Sequence, residues 1–282
     1  MFIFVLLMTI AFVVLAFFAG PHDQAAFAIA LTGVGIGVPY LMALRFEDIP
    51  PGLRLRSVLC STVYRWRDIR ISVAYLVRVR VDDHYLLVRG HRIPTQFQPI
   101  GGVYKVRSDV LKQLQEEYRI TPDTRFVGDA ENAGDLRMML PGSSVAAFLK
   151  WMGRRQEFET APWREFYEEL IKPGHLDAEA FATPHFEFVK TYATPLHFDQ
   201  YSGHHQLLIY DVFDLLPTHQ QTAELRELRE QTLDENHIAQ TQALAFFSHA
   251  RLAEPASPAQ ANAEYEIAPH VRWIISSRKS RS

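Results

Sequence analysis

Arg164-Glu165-Phe166-Tyr167-Glu168-Glu169-Leu170-Ile171 is the stretch on which the reading of this chain turns. Set on a helix, Glu165, Glu168 and Glu169 fall at i, i+3 and i+4, so three carboxylates share one face. Like charges crowded this way cost stability unless a cation compensates them. One reason to crowd them is to hold a hard divalent ion, Mg²⁺ or Mn²⁺, through oxygen ligands. The other reading is an ordinary amphipathic helix with a solvated acidic face, and spacing alone leaves the two level. Gln115-Glu116-Glu117 pairs acids on a helix just as cheaply. Arg164 is placed to orient a carboxylate by charge-assisted hydrogen bonds. Phe166 and Leu170, four apart, would anchor the opposite face in a core.

Working outward, the acidic helix starts at Thr160 or Pro162 and ends before Pro173-Gly174. Upstream, Ile71–Val81 alternates and is rich in β-branched residues, a strand pattern, and His84–Arg89 returns as a second strand after Asp82-Asp83. Gly101-Gly102 marks tight backbone. Asp109–Glu117 reads as a helix capped by Ser108 or Asp109. Leu136–Leu140 reads as a short strand, and Ser143 or Ser144 as the cap of a helix reaching about Arg155. Strands resume at His185–Ala193 and Gln206–Leu216, and helices at Ala223–Leu233 and around Ile267–Ile275. This order predicts an α/β or α+β domain, a mixed sheet sandwiched by helices.

The chain opens on two apolar runs without a charged side chain, Phe2–Ala19 and Ala25–Leu44, joined only by Gly20-Pro21-His22-Asp23-Gln24. About 20 helical residues span roughly 30 Å of hydrocarbon, so each run is long enough to cross a bilayer, and the short link makes them a hairpin. A cleaved signal peptide fits less well, since no basic region precedes the first run. The link carries no Lys or Arg, whereas Arg45, Arg54, Arg56, Arg65, Arg67 and Arg70 follow the second run. The positive-inside rule then puts both the N-terminus and the C-terminal domain in the cytoplasm. The expected organisation is a transmembrane hairpin over 1–44, a juxtamembrane connector over 45–69 and a sensing domain over 70–282. Gly33 and Gly37 are spaced for close helix approach, although glycine is also simply common in membrane helices. Neither span holds an ionisable residue, which argues against a transporter.

A net charge of −3 gives no basic footprint for duplex nucleic acid, while small anionic ligands need only a local basic pocket. The single cysteine, Cys60, cannot build a disulfide framework. No serine-nucleophile elbow or metalloprotease pattern is present.

Arg164–Ile171 resembles the helical part of a Nudix box, whose arginine and glutamates bind metal for pyrophosphate hydrolysis. Gln98-Pro99-Ile100-Gly101-Gly102-Val103-Tyr104-Lys105 resembles the glycine turn that opens such a box. The intervening Val106–Thr160 is far longer than in ordinary Nudix enzymes, and Glu157 and Glu159 only approximate the upstream glutamate. With the paired apolar runs, Asp135-Leu136-Arg137 before Pro141-Gly142, Phe148-Leu149-Lys150-Trp151, and His204–Leu215 as a late strand, the chain resembles the two-transmembrane SMODS-associated Nudix effectors of cyclic-oligonucleotide antiphage signalling (CBASS). The resemblance implies a bacterial inner-membrane effector. A partner nucleotidyltransferase would supply a cyclic di- or trinucleotide. The Nudix-like domain would bind it, and the hairpins would oligomerise and disrupt the membrane lipids, aborting infection.

A cyclic nucleotide needs cations for phosphates and aromatic faces for bases. Candidate cations are Arg89, Arg92, Lys105, Arg137, Arg154 and Arg155, and candidate stacking groups Phe97, Tyr104, Trp151, Tyr192 and Tyr201; of these, Arg89, Arg92, Tyr104, Lys105 and Arg137 are preferred. The rival expectation is a membrane-anchored hydrolase of a nucleoside diphosphate derivative. There Arg164, Glu165, Glu168 and Glu169 would be catalytic, the three glutamates holding Mg²⁺ or Mn²⁺ and a coordinated water attacking the pyrophosphate.

Overall fold

The computed structural model describes residues 46–90, 93–123, 134–159, 162–232, 242–253 and 265–275, together with Ile10, Ala11 and Val14. Apart from those three residues, the hairpin expected over 1–44 lies outside the described residues, as does the candidate Arg92. Among those described, no helix is long and apolar enough to cross a membrane.

The chain begins with helix α1 (Arg54–Thr62), then strands β1 (Asp68–Arg78), β2 (Arg80–Val81), β3 (His84–Arg89), β4 (Gln96–Gln98) and β5 (Ile100–Val103). Helix α2 (Ser108–Tyr118), strands β6 (Thr121–Pro122) and β7 (Arg137–Pro141), and helices α3 (Gly142–Arg154) and α4 (Trp163–Phe166) follow. A π-helical turn, Tyr167–Ile171, extends α4. Next come β8 (Phe186–Ala193), β9 (His197–Asp199), β10 (His204–Leu215), α5 (His219–Gln231) and β11 (Leu244–Ser248). Helix α6 (His249–Ala253), β12 (Glu266–Ile267) and α7 (Arg272–Ile275) complete the elements.

The larger sheet runs β6-β7-β1-β10-β8, with β5 also on β1 and β9 on β10. It is mixed: β1 and β10 are parallel, and its other pairs are antiparallel. One edge of β1 lies along β10 for ten register pairs, from Ile69↔His205 to Arg78↔Asp214. Its other edge is shared. β7 covers Asp68–Ser72 and β5 covers Ala74–Val77. The two part at Val73, whose carbonyl accepts from Tyr104 N–H and whose N–H donates to the Leu136 carbonyl. A smaller sheet, β11-β3-β4-β12 with β2 on β3, packs beside the first.

The period-2 pattern of β1 sorts the two faces. Ile69, Ile71, Val73, Tyr75 and Val77 are fully buried in the main core. There they meet Val110 and Leu114 of α2, Val145, Phe148 and Leu149 of α3, and Phe166 of α4. The opposite face is not simply a second helical layer. Leu76 and Val212 join a separate cluster with Tyr85, Leu87, Phe97 and Phe247 of the smaller sheet and Val271 and Ile274 of the C-terminal segment. On this second face the covering layer combines the smaller sheet with the short C-terminal helix, α7. The run Leu244–Ser248 explains the difference: short, without alternation and largely buried, it supplies β11, pairing with β3.

The stretch read as a connector packs on the same domain. Phe46, Ile49, Leu53 and Cys60 are buried in the main core. Helix α3 starts at Gly142 with Pro141 as N-cap, two or three residues ahead of the expected cap, Ser143 or Ser144. A side chain at Gly142 would collide with the Tyr64 and Cys60 carbonyls, so its lack of one lets α3 sit against the end of α1. Helix α2 likewise takes Arg107 as N-cap, with no side-chain cap.

Candidate functional site

The site forms where β5 separates from β7 at the edge of β1. Phe166 and Leu170 are fully buried and fix the acidic segment against the core, as their spacing predicts. Past Phe166 the helix widens into the π turn, with Lys172 N–H donating to the Tyr167 carbonyl at 2.8 Å. Such turns carry an extra residue per turn and cluster at functional sites.

The acidic segment and the glycine turn, distant in sequence, are in contact. Gly101 N–H donates to Glu169 Oε2 at 3.3 Å. A Cβ on Gly102 would occupy the space taken by the Glu165 carboxylate, and one on Gly101 would overlap the Tyr75 carbonyl. The glycine pair is thus required by close approach on both sides.

Arg164 sits at the centre of the carboxylates. Its guanidinium is paired with Glu165, lies 3.4 Å from Glu159 and 3.6 Å from Glu168, and donates from Nη2 to the Val103 carbonyl at 3.1 Å. Glu159 is held by its own N–H on the Lys105 carbonyl. Burial raises the carboxyls of Glu159 and Glu165 above their ordinary range. Glu169 is pushed well above it, by burial first and then by Glu165. Burial works against the Arg164 cation, but Tyr75, Glu165 and Glu159 outweigh it and hold its pKa up. Tyr75, fully buried beside this cluster, is kept protonated chiefly by burial.

The metal expected from the acid spacing can be tested on this donor set. Three carboxylates face Arg164, and the fourth is turned to the Gly101 amide. Among the described residues, no group of three His, Cys, Asp or Glu side chains is arranged to hold an ion. In this arrangement the Arg164 guanidinium is the charge that compensates Glu159, Glu165 and Glu168.

The ligand-binding residues expected from the sequence scatter. Tyr104 is a core residue: fully buried, it packs on Tyr75 and Phe158 at 5.0 and 5.1 Å and donates to Asp211 Oδ2 at 2.9 Å. It offers no face to a base. Asp211 also accepts from Thr191 Oγ1 at 2.6 Å and pairs with Arg155 at 2.9 Å, so this is a closed polar network inside the core. Arg89 clamps backbone, donating to the Gln242 and Pro94 carbonyls at 2.7 Å each while lying over the Phe97 ring. Lys105 bridges to Asp135 beside the acidic cluster, and Arg137 pairs with Asp135 at 3.8 Å.

Arg137 leads to a second constellation that the sequence did not single out. It is opposite Ser72 in the β7–β1 register, on the face of the sheet turned away from the main core. Arg70 shares that face. It is buried, paired with Asp123 at 2.8 Å and donating to Gln206 Oε1 at 3.0 Å. Tyr210, opposite Ala74, stacks on His270 at 5.7 Å with ring planes only 11° apart. Its register partner Tyr192 stacks on Trp273 at 4.8 Å, and Arg272 lies over the Trp273 ring at 4.3 Å. Burial raises the Tyr210 phenol, and the positive field of Arg70, Arg272 and Arg137 partly opposes the rise. Burial, reinforced by Arg272, lowers His270 to about 4. Arg272 thus lies on the Trp273 end of one stacked pair, and the charges of Arg70, Arg137 and Arg272 reach Tyr210 of the other. Arg70, Tyr210, His270 and Arg272 carry no motif. Only the alternation of β1 and β10 could have placed the first two on one face.

A glycine-bearing strand, an arginine-glutamate helix docked on it and a mixed sheet against helices define a Nudix-type domain. The model of the SMODS-associated NUDIX domain matches residues 68–275, and the chain belongs to that family. A comparison with curated proteins found no match.

Proposed function

We propose that this chain is a membrane-tethered CBASS effector whose Nudix-type domain is a receptor for a cyclic di- or trinucleotide. A partner nucleotidyltransferase supplies the ligand. The hairpin over 1–44 holds the chain in the bacterial inner membrane, with its N-terminus and domain cytoplasmic. Family membership supports the link to antiphage signalling. The observation that carries the receptor reading is the second-face constellation. Arg272 lies over Trp273 of the Tyr192–Trp273 stack, and the charges of Arg70, Arg137 and Arg272 reach Tyr210 of the Tyr210–His270 stack. Guanidinium forks recognise phosphate and aromatic rings stack on bases, and the exposed Arg272 with the half-buried Trp273 supplies one of each at the edge of this face. A net charge of −3 gives no basic footprint for duplex nucleic acid, so the ligand proposed is the small cyclic one.

Tethering supplies the output. Domains confined to one plane have a high effective concentration, so a modest ligand-induced interface drives homo-oligomers that disrupt the lipid bilayer. A killer must rest inactive, and moving a 1:99 equilibrium to 99:1 takes about 5.5 kcal/mol of differential ligand affinity.

The test uses the full-length protein in detergent with Mg²⁺, cyclic di- and trinucleotides and linear nucleoside diphosphate derivatives, read by mass spectrometry. Retention of an intact cyclic nucleotide is expected. Cleavage of a linear pyrophosphate without such retention would favour the hydrolase, with Glu165, Glu168 and Glu169 rearranged around Mg²⁺ or Mn²⁺.

A further inference from the structure

Among the described residues, the outer face of α1 and the turn after it carries exposed apolar side chains. Leu55, Leu59, Val63 and Trp66 are 79, 36, 69 and 85% exposed. Leu55 and Leu59, four apart, share one face of α1, and Val63 and Trp66 continue the exposed apolar side chains into the turn after it. The inner face of the same segment is accounted for, since Leu53, Ser57 and Cys60 are fully buried. Ser57 Oγ donates to the Arg54 carbonyl, and Arg56 ties the helix to the Ala193 and Thr194 carbonyls. The stripe is therefore held outward by a rigid mount.

Two features say what covers it. The first is charge. Arg65 and Arg67 are exposed at its border, and Arg65 lies over the Trp66 ring at 4.6 Å. Arg65 also lines a cleft of about 440 Å³ between α1 and α3, with Lys150, Ser61 and Ser143. Two cations and two hydroxyls beside an apolar stripe suit an anionic headgroup above acyl chains, and tryptophan favours that boundary. The second is position: the stripe starts shortly after the charge-free run Ala25–Leu44.

We infer that the juxtaposition of the Leu55–Leu59–Val63–Trp66 stripe with the Arg65/Lys150 cleft is a bilayer-docking surface. It lays the domain on an anionic lipid leaflet, with phospholipid headgroup phosphate in the cleft. The inference rests on the tethered reading for proximity to the bilayer, and its consequence is orientation. A docked domain presents a fixed edge to its neighbours, and undocking frees it.

The experiment spin-labels Val63→Cys in the full-length protein. Native Cys60 stays unlabelled, being buried with its thiol pushed up to about 11. The protein is reconstituted into vesicles of phosphatidylcholine alone or with phosphatidylglycerol. Flotation of the vesicles reports the hairpin. Collision with oxygen, against collision with a water-soluble nickel chelate, reports the depth of the label. The expected result is flotation in both, with the oxygen-to-nickel ratio rising severalfold when phosphatidylglycerol is present. Arg65→Gln with Lys150→Gln is expected to abolish that rise. A floating protein whose label stays nickel-accessible in both vesicles overturns the inference and leaves the hairpin standing. Dipolar broadening between labels on different chains, without a gain in oxygen collision, puts a second copy on the stripe and also overturns it. Failure to float overturns both.

Discussion

Glu169 and Gly101, 68 residues apart in sequence, are joined by a hydrogen bond of 3.3 Å from the glycine amide to the carboxylate. The long insertion between the box halves is therefore accommodated without separating them.

That contact makes the two glycines unequal. At Gly101 an added methyl meets the Tyr75 carbonyl, which is backbone within a paired strand, at a φ of +156°. At Gly102 it meets the Glu165 side chain, which can swing. Overpacking costs about 1–3 kcal/mol. Gly101→Ala is expected at the upper end and Gly102→Ala at the lower, by urea unfolding of the purified protein.

Glu169→Gln is expected to stabilise the fold at neutral pH. The folded carboxyl titrates above its unfolded value, so its favourable contribution is present below the ordinary carboxylate range and lost as pH rises through the folded value. Glutamine removes that loss. The melting temperature of the variant should exceed wild type at about pH 8, and the gap should shrink toward zero at about pH 4. A constant gap would mean that the gain is not electrostatic.

Much of this architecture was legible and some was not. The strands of β1, β3, β8 and β10 follow from alternation and β-branched content. The helical segment from Arg164 follows from the spacing of Phe166 and Leu170. The π turn over Tyr167–Ile171 leaves no trace in residue type, because it reflects how the segment docks on β5 rather than a local preference. Tyr104 looked like a stacking group because its burial depends on Asp211, a partner 107 residues away. Tyr210 and His270 meet only through the tertiary fold, so their stack could not be read from spacing.

The network around Asp211 is expected to be a stability element. Asp211 is buried, with Arg155, Tyr104 and Thr191 as partners. Truncating one side of a buried pair costs about 3–5 kcal/mol, because the remaining charge is stranded. Arg155→Met should lose about that much, and adding Asp211→Leu should recover part of it, giving a coupling energy in a double-mutant cycle.

His270 is expected to stay neutral at and somewhat below neutral pH. Its folded value is about 4 against an ordinary 6.5, lowered first by burial and then by Arg272. A depressed value means stability present above 6.5 and lost as pH falls through about 4. The imidazole resonances of His270, assigned by comparison with His270→Gln, should not move until the pH falls well below 6.

The most direct measurement titrates the retained cyclic nucleotide into full-length wild type, Arg272→Gln, and Glu168→Gln with Glu169→Gln, by calorimetry in Mg²⁺. Loss of one charge-assisted phosphate contact, about 1.5–3 kcal/mol, predicts at least tenfold weaker binding for Arg272→Gln. The glutamate pair should bind as wild type does, with the ligand recovered intact. Unchanged affinity in Arg272→Gln, together with lost binding or lost turnover in the glutamate pair, would contradict the account and make the acidic helix the working site.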